Sequence, residues 1–267
     1  KTPVGATPTF TRATTATFTD NEGVLRTAPA GCARFVGAGF VQNLISTSSE
    51  DIPNYSSNNT TVSASSVAIS NVTSVYDIYE TAATGIHTRN RLFAASAGHT
   101  YLCSVRAKAG TRRRVMLRDG AVSGAASTFD LVDGVVVANE AGGAGYISTT
   151  EDEGVYLLTL KLTASTTGNY SPYVYLLQDG TAGNASASYA GDTGKYLTVG
   201  GIQVEDITGR ADQTTPSEYV SVGVESAPYY HGSGVDGVKC FSTDLSGNPI
   251  PSTTLLGYLA EGARTNL

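Results

Sequence analysis

The 267-residue sequence predicts an all-β fold, an antiparallel β-sandwich flanked by extended connector segments. Three observations predict it. The chain is rich in Thr, Ser, Gly, Ala and Val and only 15% charged, a composition that favours short strands joined by tight turns over helices or disorder. Several segments alternate apolar and polar residues with period two, and none carries a 3.6-residue apolar period over ten or more positions. Asp-Gly pairs punctuate these segments at 119–120, 133–134 and 179–180, as strand ends and hairpins require.

In chain order, Tyr101–Ala109 places Tyr101, Cys103, Val105 and Ala107 on one face and Ser104, Arg106 and Lys108 on the other. Val115–Leu117 reads as a short strand between Arg114 and Arg118. Phe129–Leu131 leads through Asp133-Gly134 into Val135–Val137, a hairpin. Tyr156, Leu158, Leu160 and Leu162 alternate with Leu157, Thr159, Lys161 and Thr163. Tyr173–Leu177, Tyr196–Val199 and Gly201–Glu205 close the series. The domain boundaries that follow are an N-terminal connector over 1–39, a sandwich over 40–207 and a C-terminal connector over 208–267, the two ends being rich in Gly, Thr and Pro.

An internal echo links the ends. Phe18-Thr19 recurs as Phe241-Ser242, and Gly39, Asn43 and Leu44 recur as Gly262, Asn266 and Leu267, all 223 positions apart. The reading is a module period of connector, sandwich and next connector, so the sequence is expected to be a piece of a longer modular protein.

Composition also narrows function. A net charge of -6 gives no global attraction to nucleic acid or anionic membrane. No apolar run reaches the length of a membrane span, and Lys1–Phe10 lacks a signal-peptide core. Cys32, Cys103 and Cys240 form no C-x-x-C pair and read as small buried apolar residues of a chain made in a reducing compartment.

The candidate ligand face comes from alternation. If Val174 and Leu176 enter the core, Tyr173 and Tyr175 point outward. Arg106, Lys108 and Lys161 point outward by the same rule, as do Arg114 and Arg118. Placed in one sheet, these residues would make a cationic, aromatic face suited to an anionic polysaccharide or a lipopolysaccharide phosphate. The alternative is ordinary solvated sheet residues or a subunit contact. Arg112-Arg113-Arg114 reads as solvated or paired to acidic neighbours. Gly232–Gly237 matches G-x-G-x-x-G but is followed by a strand-like run and not a helix, so it reads as a turn. His87, His99 and His231 are isolated in sequence and read as structural.

Thr9–Ala28 with Ala33–Phe35, and Gly257–Leu267, resemble a connector common in tailed-phage tail and fibre proteins. Tyr101–Gly110, Phe129–Gly134 and Tyr189–Glu205 resemble landmarks of phage-borne carbohydrate-binding jelly rolls. The last landmark usually carries a Trp where this chain has Thr198-Val199, and the chain has no Trp, so a sugar platform would be built from Tyr. The resemblance implies a jelly-roll sandwich in a phage virion, made in the bacterial cytoplasm. It implies a non-catalytic role on a tail fibre or baseplate, binding bacterial surface polysaccharide or lipopolysaccharide beside other virion tail proteins. A homotrimer is the state expected by resemblance, with no nucleic acid and no membrane insertion. Other jelly-roll lectin modules imply a structural calcium site, here from Glu50, Asp51, Glu205 and Asp206; no other cofactor is expected. Two competing readings stay open: a purely structural virion component with no glycan ligand, and a depolymerase or esterase.

Overall fold

The computed structural model describes residues 12–32, 34–37, 39–45, 50–222, 238–241 and 257–258. His231, the Gly232–Gly237 motif and Gly262–Leu267 lie outside the described residues, as do Lys1–Thr11. Four strands open the described chain: β1 (Ala16–Thr19), β2 (Leu25–Ala28), β3 (Phe35–Val36) and β4 (Gly39–Gln42). The body follows with β5 (Ser56–Asn58), β6 (Thr60–Ala64), β7 (Val75–Glu80), β8 (Thr84–Asn90), β9 (Phe93–Ala95), β10 (Thr100–Ala109), β11 (Arg114–Asp119) and β12 (Ala126–Asp130). It continues with β13 (Val135–Glu140), β14 (Ala144–Thr149), β15 (Val155–Thr163), β16 (Gly168–Tyr170), β17 (Pro172–Leu177), β18 (Ser188–Ala190) and β19 (Tyr196–Asp206). Last come β20 (Val238–Phe241) and β21 (Gly257–Tyr258).

Two antiparallel sheets build the sandwich. One has the order β14-β15-β10-β19-β7-β6, the other β13-β12-β11-β17-β8-β18 with β5 also on β8. The predicted alternation decides which faces meet. Tyr101, Cys103, Val105 and Ala107 of β10 join Leu158, Leu160 and Leu162 of β15, and they pack on Val115, Leu117, Phe129, Val174 and Leu176 of the opposite sheet. Each Val, Leu and Phe among them contributes about 1.5–3 kcal/mol by leaving water. The all-β sandwich expected from composition and periodicity is therefore the observed fold.

The Asp133-Gly134 turn joins β12 to β13, where Gly134 has φ 65°, a conformation costly for other residues. Gly145 of β14 lies so close to β12 that a Cβ there would meet the Ser127 side chain at 2.5 Å. That approach brings the two sheets together at the β13–β14 edge.

The sequence suggests two strands over 196–205, divided at Gly200-Gly201. The structure has one strand, β19, with a bulge: Ser104 pairs with Gln203 and Arg106 with Gly200, so Gly201 and Ile202 face Val105. Gly201 takes φ 59° there, which only Gly adopts cheaply. The dipeptide marks a bulge in a continuous strand and not a break.

Cys32 and Cys103 are buried, and burial pushes the Cys103 thiol pKa up. Both are expected to resist a small thiol reagent in the native protein and to react after unfolding, as a thiol titration would show. Rapid modification of Cys103 in native protein would contradict its place in the core.

Candidate functional site

The structure divides the expected cationic and aromatic residues between two layers. Arg106 and Lys108 lie on β10 and Lys161 on β15, in the six-stranded sheet. Arg114 and Arg118 lie on β11, and Tyr173 and Tyr175 on β17, in the seven-stranded sheet. The two groups cannot form one surface. Alternation gives the direction of each side chain correctly, but membership of a sheet is set by pairings between distant segments.

On the six-stranded sheet the outer face is partly covered. Residues 208–222 return across it, with Val220 N–H donating to Gln203 Oε1 at 2.7 Å and Ser217 N–H to Glu205 Oε1 at 2.9 Å. Tyr219 lies over the Arg106 guanidinium, 5.3 Å from ring centroid to Cζ, and burial pushes the Arg106 pKa down. Lys108 donates to the Glu153 carbonyl at 2.8 Å. Lys161, half-buried, pairs in register with Leu102.

On the seven-stranded sheet two of the four expected residues are already engaged. Arg114 Nε sits 2.9 Å from the buried Asp130 carboxylate, which Arg113 shares at 2.7 Å. With Arg112 paired to Glu80 at 2.6 Å, the three-arginine run is wholly paired to acidic residues. Tyr175 is 2% exposed and packs with Met116, Ala126, Leu177 and Ala187 in a second apolar cluster outside the main core. The chain between β17 and β18 returns over this cluster. It is pinned where Gly183 N–H donates to Thr128 Oγ1 at 3.1 Å and Asn184 N–H to Glu140 Oε2 at 2.8 Å. Tyr175 thus faces away from the main core as expected but is no open sugar platform.

Tyr173 and Arg118 remain. They are neighbours in register across β11 and β17, and both are half-buried. The Tyr173 ring lies 5.7 Å from that of Tyr175 and rests against Gly120, where a Cβ would collide with it. Arg118 donates from Nη1 to the Tyr175 hydroxyl at 3.1 Å, while its Nε is buried with no acceptor. No carboxylate among the described residues forms an ion pair with it. The 120–125 turn walls the site, because Gly124 lies beside the Arg118 guanidinium. Asp119 shapes that turn by accepting from the Ala121, Val122 and Ser123 N–H groups and the Ser123 hydroxyl. Sequence reading missed this wall; the Asp119-Gly120 pair marked a strand end and gave no sign of its neighbours.

The expected calcium ligands do not converge. Glu50 accepts from Ser74 N–H at 2.9 Å and Asp51 from Asn54 Nδ2 at 2.7 Å. Glu205 pairs with Arg210 at 3.4 Å, and Asp206 with His99 Nδ1 at 2.7 Å. Among the described residues no group of three or more His, Cys, Asp or Glu could hold a metal ion. These carboxylates are turned to N–H donors and cations, an arrangement that does not fit calcium.

A half-open cleft of about 620 Å³ lies where the β1–β2 hairpin meets the sandwich, lined among others by Asp20, Arg26, Phe40, His99, Asp206 and Arg210. Its charged groups are joined to one another: Arg26 to Asp20 at 2.6 Å, alongside the His99–Asp206 and Arg210–Glu205 pairs. Tyr101 in its wall is buried, its hydroxyl accepting from Ser96 N–H at 2.8 Å. The cleft thus presents mostly paired charges, and its Phe40 ring is half-buried, packed edge-on against Phe18 at 5.2 Å between centroids. His87 is also structural, being buried with its ring nitrogens 2.9 Å from the Asn59 carbonyl and 3.3 Å from that of Tyr189.

No family model matches the chain, and no curated protein matches it. Among solved structures, the chain is similar to a carbohydrate-binding module described as recognising mannan, at 9% identity and a TM-score of 0.30. That match covers 65% of this chain and 99% of the other. At that score the likeness carries no argument about ligand, and the site rests on its own geometry.

Proposed function

We propose that the chain is a non-catalytic glycan-binding module of a phage tail, fibre or baseplate protein, and that the outer face around Tyr173 and Arg118 holds the sugar. The observation that carries this reading is a guanidinium with no carboxylate partner among the described residues, beside a half-buried tyrosine ring on a sheet face. Tyr173 offers an apolar surface for a pyranose face. Arg118 offers charge-assisted donors for a uronate or phosphate oxygen, which makes an acidic bacterial surface glycan the matching ligand. The resemblance of Thr9–Ala28 and Gly257–Leu267 to tail-protein connectors supports the virion setting and, with it, a homotrimer beside other tail proteins. A single shallow face binds weakly, and several copies on one particle supply avidity.

Tyr173→Ala and Arg118→Gln are each expected to lower retention on host surface polysaccharide at least tenfold, with the unfolding midpoint nearly unchanged. Tyr175→Ala is unsuitable for this test, since removing a buried aromatic ring costs about 3–5 kcal/mol of stability. A glycan array with the purified chain reads the specificity. Retention unchanged in both variants overturns the site.

A further inference from the structure

The strands at the two ends of the described chain pair with each other. β3 pairs with β21, and β4 pairs with β20, both antiparallel. The register of the first pair is unusual when set against the 223-residue echo. Phe35 lies opposite Tyr258, and position 258 is the repeat equivalent of position 35. β20 likewise falls on the repeat equivalent of the β1 region, with Phe241 matching Phe18; Phe241 lies opposite Gly39.

An antiparallel pair in which a residue faces its own equivalent has a local two-fold axis. At the Phe35–Tyr258 bridge the two copies of the connector thus meet in an isologous register, one segment type facing itself; the reciprocal of the Gly39–Phe241 contact, Phe18 with Gly262, lies outside the described residues. Neighbouring main-chain groups at such an edge stay unpaired unless a strand covers them.

We propose that the edge of β3 is a homotypic docking surface, filled within this chain by β21 of its own repeat and open to a second copy of the chain whenever that repeat is displaced. The partner's β3 would then pair with β3 across a true two-fold axis, Phe35 opposite Phe35. The local concentration of an attached strand is of order millimolar, so the internal pairing wins in dilute solution. The second copy wins only where the internal strand is lost or chains are crowded, as they are when many copies share one assembly. This inference uses only the connector and does not depend on the glycan site.

Two variants of the full chain test it. Phe35→Cys with Tyr258→Cys places two thiols opposite each other in an antiparallel pair, within the separation a disulfide spans. Oxidation is expected to yield a bridge within one chain, seen as a monomeric peptide pair by mass spectrometry; no such bridge overturns the register. In the second variant, Phe35→Cys is combined with Cys240→Pro and Tyr258→Pro, which remove backbone donors from β20 and β21. Oxidation is then expected to give a covalent dimer joined through residue 35 in most of the protein, with the sandwich unfolding transition unchanged. A protein that keeps that transition and stays uncross-linked at residue 35 overturns the proposal, and so does dimer formed equally by Phe35→Cys alone.

Discussion

Replacing Arg112 by Ala is expected to destabilise the protein by about 3–5 kcal/mol, because it strands a buried carboxylate. Glu80 on β7 is 1% exposed. It accepts from Arg112 Nε at 2.6 Å and Nη2 at 3.1 Å, from the Tyr189 hydroxyl at 2.7 Å and from Asp192 N–H at 2.9 Å. Four donors from the β10–β11 connection and the β18–β19 region thus converge on one side chain. The Arg112 guanidinium also lies over the Tyr189 ring, 5.4 Å from its centroid. Burial alone would raise the Glu80 pKa, but the bonds from Arg112, Asp192 and Tyr189 outweigh it and hold the carboxyl below its ordinary value. A depressed folded-state pKa gives stability that is present above the unfolded value and lost as pH falls through the folded one. The wild-type advantage over Arg112→Ala should accordingly be full at neutral pH and shrink below about pH 4, the ordinary range for Glu. Chemical denaturation of both proteins at pH 7 and pH 3 reads this directly. An equal deficit at both values would remove the ionised Glu80 from the account.

Asp119→Ala is expected to cost about 3 kcal/mol and to weaken glycan retention at the same time. Asp119 is 1% exposed, and its carboxylate holds the 120–125 turn as well as Ser171 N–H at 3.1 Å. Losing one carboxylate leaves several buried N–H groups without an acceptor, each costing about 1–3 kcal/mol if water cannot reach it. The turn should relax, and Gly120 should leave the face of the Tyr173 ring. Asp119→Asn, which keeps one acceptor oxygen, should recover part of both losses. Retention that stays at the wild-type level in Asp119→Ala, with the stability loss confirmed, would separate the turn from the ligand face.

Legibility in the sequence followed locality. The inward faces of β10 and β15 could be read because period-two alternation is a property of one strand. The turns at Asp133-Gly134 and Asp179-Gly180 could be read because φ > 0 is a demand on one residue. β5 to β9 went unread, since segments such as Ser56–Asn58 and Thr84–Asn90 are polar or glycine-bearing and carry no alternating apolar signal. The site was half legible. Tyr173 and Arg118 share the face of β17 and β11 that alternation gives them, but the burial of Tyr175 depends on a return of chain pinned through Gly183 and Asn184. The separation of Arg106 from Arg118 depends on which strands pair across tens of residues. Neither fact is written in a local pattern.

The pairing of β3 with β21 has a mechanical consequence. In an antiparallel pair the chain before Phe35 and the chain after Tyr258 leave from the same end. A load drawn through both would peel the stem apart one hydrogen bond at a time, the weakest way to stress a ladder. The sandwich is tied to that stem at a few points, where Arg26 Nη1 donates to the Asp206 carbonyl at 3.1 Å and Leu44 N–H to the Val204 carbonyl at 2.8 Å. Modest tension would then release slack while the domain itself stays folded, so that the molecule yields like an unfastened clasp before it unravels.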